Sequence, residues 1–461
     1  MSMRRKTGVV KLPPSEEPPG VEPTAKTIDR LRQERIVYDG VTGLPLHPFE
    51  APERAAAVER IERLGVIYVQ IGKFFGFEEL YGWELYDRVL VVVSDGLRED
   101  VAASRLSSHF VSLRYTGSDG FYVLFDLPAA SRGRSGAGLE EEAMRLQENA
   151  LKRLRQAFGG TTVDLMSVHV SSLVADDNPR VRPARHLIRN LAEAAKTVTQ
   201  RQTREKLELC AGLKGVIGHR RLKVAFQPVC NLSDGEVVGY EALIRGPQGG
   251  PLELPNVLFA IAHENSMAVE LETLCLETIF AKLPRAISGR RLFVNASATL
   301  LRHPVFLDER NLTAINRSHA DVVVEISEKE MVGDYAAFRD TLATMRGANL
   351  KIAIDDAGSG YSGLEAILYL KPDYIKVADS LVRNLEIDPI KREIIASLAS
   401  IGRRIDATLV AEGIEREEER EALVALGIQY GQGYLLGRPS FRVPGSGMAL
   451  SRKPSSLHTS H

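Results

Sequence analysis

From about residue 220 onward the chain repeats one unit: a short apolar run, a polar or acidic residue at its end, a loop, then an amphipathic helical stretch. The runs are LKVAFQPV, VVGYEALI, RLFVNAS, DVVVEIS, LKIAIDD, YIKVA, ATLVAEG and the segment around YGQGYLL. That rhythm predicts an α/β barrel of parallel strands. The C-terminal strand ends of such a barrel share one mouth, so Glu241, Asn295, Glu325, Asp355, Asp356, Lys376, Glu412 and Gln432 are expected to face a common pocket although far apart in sequence.

The earlier part of the chain has a different texture. Residues 30–185 carry short strands such as VIYVQI and GFYVLFDL among helical stretches such as WELYDRVLVVVSDGLRE, a mixed α/β pattern, with PAASRGRSGAG expected as a surface loop. A charged segment, RHLIRNLAEAAKTVTQRQTREKLELCAGLKGVI, has Leu, Ile and Ala at helical spacing and predicts a linker helix over 186–217, with the barrel over 218–440. Residues 1–28, rich in Pro, Glu and Lys without apolar periodicity, are expected to be disordered, as is the tail 441–461.

Composition narrows the function. The 461 residues are 44% hydrophobic and 26% charged, an ordinary globular balance for roughly two to four domains. With 59 Lys plus Arg against 60 Asp plus Glu, there is no bulk positive field for a nucleic-acid polymer, so any nucleotide must be caught by a local site. Cys210, Cys230 and Cys275 include no CxxC pair, which argues against a disulfide framework or structural zinc and for reduced, buried thiols. The opening MSMRRKTGVVKLPPSEEPPG has no apolar stretch behind its basic residues, and RVLVVVSDG falls short of the roughly 20 residues a membrane helix needs. The chain is therefore read as cytoplasmic and unanchored.

Carboxylates and a carboxamide suit hard cations such as Mg²⁺ or Mn²⁺, and no His or Cys at these strand ends competes to select zinc. Two consecutive aspartates at one strand edge allow one carboxylate to bridge two ions, the arrangement used to activate water and neutralise charge in phosphate-ester hydrolysis. Lys376 could hold the nucleophile or a nonbridging oxygen, and Arg245 could contact phosphate. Each residue taken singly has an ordinary explanation. A strand-end Glu or Asn caps a helix, Asp355-Asp356-Ala-Gly-Ser-Gly makes a turn, Lys376 pairs at the surface, and Gln432 braces a loop. Their recurrence at one point of successive units shifts the weight towards a site.

At this point the motifs resemble a known family. FQPVCNLSDGEVVGYEALIR, NAS, EISE, DDAGSGYSGL, IKVADSLV, AEGIE and YGQGYLLGRP, in that order, are similar to the EAL-domain cyclic di-GMP phosphodiesterases of bacteria. The resemblance implies a modified TIM (β/α)8 barrel, two Mg²⁺ or Mn²⁺ ions, and hydrolysis of cyclic di-GMP to linear pGpG. It implies Glu241, Asn295, Glu325 and Asp355 as ligands of one metal, and Asp355 and Asp356 as ligands of the second. Glu412 resembles the glutamate that orients water or completes the second metal site. Lys376 is similar to the essential lysine, Glu328 to the glutamate that steadies the loop after Asp356, and Gln432 to the late glutamine of the site. Arg245 and Gln227, with Gln432, are the candidates for substrate contact, and Glu415 matches the second Glu of EGxE. Homodimerisation is a family expectation.

Two positions depart from the pattern. Ala357 replaces the aromatic of DDFG, and Ala378 replaces the acid of Lys-x-Asp, which predicts weaker second-metal binding with lower or Mn²⁺-preferring activity. Asp379 is not expected to substitute while the strand persists, because neighbouring side chains point to opposite faces. A noncatalytic cyclic di-GMP receptor or scaffold is the alternative that Ala378 and the altered loop at Ala357 motivate.

The first region resembles a degenerate GGDEF domain. Asp39-Gly-Val-Thr42-Gly43-Leu44-Pro45 looks like its opening motif, YGWELYDRVL like its YGHxxGDxxL helix, and Gly117-Ser118-Asp119-Gly120-Phe121 sits where GGDEF would be. Gln70 and Gly72 stand where metal-binding acids are expected and Gly120 replaces the signature Glu, so no cyclase activity is expected. A structural or signal-transmitting module and residual GTP binding remain as alternatives for this region.

Overall fold

The computed structural model describes residues 38–46, 61, 63–73, 77, 82–128, 135–159, 163–176, 178, 180–327, 335–358 and 363–443. The tail 1–28 lies outside the described residues, as do the tail 441–461 from residue 444 onward and Glu328. The chain forms two compact units, residues 1–208 and 209–461.

In the first unit four strands, β1 (Arg63–Lys73), β2 (Phe110–Tyr115), β3 (Gly120–Asp126) and β4 (Met166–Asp176), make an antiparallel sheet in the order β2-β3-β1-β4. Two helices, α1 (Trp83–Ala102) and α2 (Ser135–Phe158), belong to this unit. Helix α2 begins inside the segment expected as a loop. Its buried Leu139, Ala143, Leu146, Ala150 and Leu154 set a helical stripe, and the first turn extends it back through Gly136 and Gly138. The long helix α3 (Pro183–Gly218) lays Leu187, Leu191, Ala194 and Val198 on the sheet residues Leu64, Val66, Tyr68, Tyr122 and Leu124. No described helix is long and apolar enough to cross a membrane.

In the second unit eight strands close a barrel. They are β5 (Lys223–Asn231), β6 (Val237–Arg245), β7 (Arg291–Asn295), β8 (Asp321–Ser327), β9 (Lys351–Ala357), β10 (Tyr374–Val377), β11 (Thr408–Ala411) and β12 (Tyr430–Gly431). Each coincides with one of the apolar runs. The expectation of uniformly parallel strands needs correction: β5 runs antiparallel to both neighbours, β6 and β12, while the other pairs are parallel. The cause is the β5–β6 connection, Leu232-Ser-Asp-Gly-Glu236, which permits a hairpin but is far shorter than the dozen or so residues a parallel crossover needs. Helices α4 (Pro255–Glu264) and α5 (Ala268–Ala281) fill the crossover from β6 to β7. Further along, α6 (Ala298–Arg302), α7 (Glu309–Ser318), α8 (Tyr335–Gly347), α9 (Gly363–Leu370), α10 (Asp379–Val382), α11 (Pro389–Ile405) and α12 (Glu417–Ala425) follow in the remaining crossovers. Cys230 and Cys275 are buried and Cys210 is half-buried; burial pushes the Cys230 thiol up to about 11.

Candidate active site

The site follows from the two-residue period of a strand. Val229, Phe293, Val323, Ala353, Tyr374 and Val410 form one apolar layer inside the barrel, with Tyr430 packed against it. Side chains two positions further along share the same face, and those are Asn295, Glu325, Asp355, Lys376, Glu412 and Gln432. In the antiparallel β5 the direction reverses, so the matching residue precedes Val229 and is Gln227, which pairs in register with Glu241. Glu241 therefore sits in the middle of β6 rather than at its end. A polar layer thus rests on an apolar one.

Lys376 is the hub of that layer. Its ammonium lies 2.7 Å from Glu325 Oε1, 2.8 Å from Glu412 Oε1, 2.9 Å from Asp355 Oδ1 and 3.6 Å from Glu241 Oε2. The lysine is only 1% exposed, as is Glu325. Asn295 Nδ2 donates to Glu241 Oε1 at 3.1 Å and to Glu325 Oε2 at 3.0 Å. Gln432 Nε2 donates to Glu241 Oε2 at 2.6 Å and to Gln227 Oε1 at 2.9 Å, while Gln227 Nε2 donates to the Gly437 carbonyl at 3.0 Å. Every one of these strand-borne candidates is brought to one cluster.

Burial first, then the neighbouring Glu241 carboxylate, pushes the Glu325 carboxyl well above the usual range against the pull of Lys376. Burial and Asp355 do the same to Glu412. Burial opposes the charge on Lys376, but Asp355, Glu241, Glu325 and Glu412 together hold its ammonium well above the ordinary lysine value. One positive charge faces four carboxyl groups, so the cluster favours further cations.

Asp355 and Asp356 owe their shared position to a bulge. Across the β9–β10 pair, Ile354 faces Ile375 and Ala357 faces Val377, so two aspartates on one strand stand opposite Lys376 alone on the other. Asp356 takes the extra residue in the left-handed region at φ 58°, which Asp tolerates better than most side chains. Strand β10 ends at Val377, so the premise that excluded Asp379 does not hold: Asp379 opens α10 and is exposed. Ala378 is buried, and its N–H donates to the Ala357 carbonyl at 3.2 Å, just past the two aspartates. Gly413, after Glu412, has φ 65°, and a β-carbon there would lie 2.6 Å from that of Asp379. Glu415 pairs with Arg383 rather than entering the cluster.

Beside Asn295 and Glu325 opens a cavity of about 270 Å³, lined also by Arg245, Pro255, Phe259 and His263. Arg245 lines this cavity, whereas Gln227 and Gln432 are buried, with Gln432 Nε2 shared between Gln227 and Glu241. Pro255, Phe259 and His263 come from α4, and the strand-end pattern gives no signal for them. Glu272 on α5 was likewise missed: it accepts from the Ser297 N–H at 2.9 Å and Oγ at 2.7 Å, fixing the chain just past Asn295.

A divalent cation fits this donor set. Glu325 Oε1 and Asp355 Oδ1 are buried beside the ammonium without an aligned hydrogen bond, and Gln432 Oε1 is buried without a partner. All are hard oxygens. Among the described residues, however, no three acidic, His or Cys groups stand in ready-made metal-ligand geometry, because the oxygens converge on Lys376. In the first unit, a β-carbon on Gly120 would overlap the Tyr68 phenol, and one on Gly72 would overlap Ser167, so acids cannot be introduced there without moving neighbours.

Residues 213–439 match the family model of the EAL domain. Over the longer chain, an uncharacterized signaling protein of Caulobacter vibrioides is 27% identical, covering 89% of this chain and 52% of its own length. The bifunctional diguanylate cyclase/cyclic di-GMP phosphodiesterase MucR of Pseudomonas aeruginosa is 25% identical, covering 90% of this chain and 62% of its own. This chain thus spans between about half and two thirds of those relatives. The cyclic di-GMP phosphodiesterase PdeF of Escherichia coli is 27% identical over 54% of this chain and 34% of its own. A solved PaMucR phosphodiesterase complex with c-di-GMP is 28% identical over 50% of this chain and 97% of that one, with a TM-score of 0.46.

Proposed function

We propose that the EAL-domain segment of this chain is a metal-dependent phosphodiesterase that opens cyclic di-GMP to linear pGpG. In the reaction a water oxygen bonds to phosphorus, one sugar oxygen leaves with a proton, and the ring becomes a linear dinucleotide. The observation that carries the reading is the gathering of four carboxyl groups, Glu241, Glu325, Asp355 and Glu412, around the single Lys376 ammonium, with Asn295 bridging Glu241 and Glu325 beside the Arg245 cavity.

Glu241, Asn295, Glu325 and Asp355 would hold one divalent ion, Mg²⁺ or Mn²⁺, and Asp355 with Asp356 a second. Asn295 would do so through Oδ1, after its amide turns over from the orientation that donates to Glu241 and Glu325. Bound there, the ions supply acidification of water and neutralisation of phosphate charge. Glu412 orients the attacking water, Lys376 donates to a nonbridging phosphate oxygen or to that water, and Arg245 binds the substrate from the cavity side. Gln432 fixes Glu241 by hydrogen bonding and Gln227 braces Gln432, so both act as positioning residues.

The first unit is read as a GGDEF-like regulatory module without cyclase chemistry, since Gln70, Gly72 and Gly120 bring no metal-binding acids. The match to the bifunctional diguanylate cyclase/cyclic di-GMP phosphodiesterase MucR over 90% of this chain supports the GGDEF-like part of this reading. Incubation with GTP and Mg²⁺ should give no cyclic di-GMP; its formation would contradict the assignment.

The decisive assay follows cyclic di-GMP and pGpG chromatographically with Mg²⁺ or Mn²⁺. Glu241→Ala should lower turnover by about a thousandfold or more while the circular dichroism of the barrel is retained. Unchanged turnover in that variant would refute the metal assignment. Saturable binding without turnover by the wild type would favour the receptor reading, which Ala378 motivates.

A further inference from the structure

Among the described ion pairs, Lys376 is the only cation touching Glu241, Glu325, Asp355 or Glu412. It reaches them from the floor of the polar layer, two residues past Tyr374 in the apolar layer, with its side chain buried along its whole length. No exposed lysine could do this, because its ammonium would remain hydrated and mobile. Here the ammonium is desolvated, and the place of its hydration water is taken by carboxylate oxygens, including Glu325 Oε1 at 2.7 Å and Asp355 Oδ1 at 2.9 Å. Two buried carboxyl groups, Glu241 and Glu325, and two half-buried ones, Asp355 and Glu412, with no counter-charge would repel one another and draw in water or protons.

We propose that Lys376 is a tethered counter-cation: it keeps the carboxylate cluster assembled until a divalent ion arrives, and it competes with that ion for the same oxygen lone pairs. This deepens the proposed function and rests on it. The consequence is a defined trade. Lysine makes the fold less dependent on metal, and in exchange it weakens metal binding, because the incoming ion must take oxygens that already have a cation. Removing the charge should make the folded barrel lean on the metal instead. A lysine that served only as packing would behave differently, since its loss would lower stability equally with and without metal.

The test uses the full chain and Lys376→Met, which keeps the length of the side chain and removes the charge. Thermal unfolding is recorded in EDTA and in Mn²⁺, and Mn²⁺ binding is measured by titration calorimetry. The variant should lose far more thermal stability in EDTA than in Mn²⁺, and should bind Mn²⁺ at least about tenfold more tightly than the wild type. Equal losses in the two conditions, or unchanged or weaker Mn²⁺ binding, would overturn the proposal. If the single variant does not fold in EDTA, Lys376→Met combined with Glu325→Gln removes one buried carboxyl group as well. That double variant should fold in EDTA, and its failure to do so would also overturn the proposal. A wild type that binds no Mn²⁺ would instead refute the metal reading under the proposed function, so the two failures are distinguishable.

Discussion

Lys376 illustrates how one side chain acquires a role from its place in a strand. Tyr374 fills the apolar layer, and the two-residue period carries Lys376 to the layer above, among four carboxyl groups. Ala378, two residues further, leaves that row without an acid at a buried point beside the Ala357 carbonyl. Restoring it by Ala378→Asp should lower the Mg²⁺ concentration needed for half-maximal turnover by about tenfold or more. An unchanged activation curve would mean that this position does not serve a metal. At this scale the sequence was informative about which residues converge and silent about how they meet. The chain of bonds from Gly437 through Gln227 and Gln432 to Glu241 needs the closed barrel, because it joins the two ends of the domain.

Strands were the most legible elements, since each of the eight apolar runs became a barrel strand. The reversed β5 was present in the sequence as a five-residue connection but was overridden by the parallel rhythm of the rest. The β9 bulge, which sets Asp355 and Asp356 opposite one lysine, has no signature in apolar spacing. Nor do loops betray their clamps. Glu419, in the first turn of α12, is fully buried and accepts the N–H groups of Glu415 at 3.0 Å, Arg416 at 3.1 Å and Asn384 at 3.2 Å, holding the segment after Glu412. Burial would raise its carboxyl, but these N–H groups and the Arg416 guanidinium outweigh burial and hold it below the usual range. A depressed pKa means stability that is present above the ordinary carboxylate range and lost as pH falls through the folded value. Glu419→Gln should therefore cost about 1–3 kcal/mol near pH 7 in denaturant unfolding, with the gap to wild type narrowing towards pH 4. A gap that widens on acidification would contradict the clamp.

At the scale of the molecule, the near balance of 59 basic and 60 acidic residues conceals a local imbalance, one ammonium against four carboxyl groups at the barrel mouth. The sequence could indicate two differently textured regions, and the structure resolves them into units that meet in sequence at residues 208 and 209, inside α3. Hydrolysis as proposed requires the barrel mouth to take divalent cations. Diffraction from crystals equilibrated with Mn²⁺ and recorded at the manganese absorption edge tests this directly. Anomalous density is expected beside Glu241, Glu325 and Asp355, with a second peak on the Asp356 side, and Lys376 drawn away from at least one carboxylate. Manganese density absent from this cluster at saturating Mn²⁺, with Lys376 still seated among all four carboxyl groups, would contradict it.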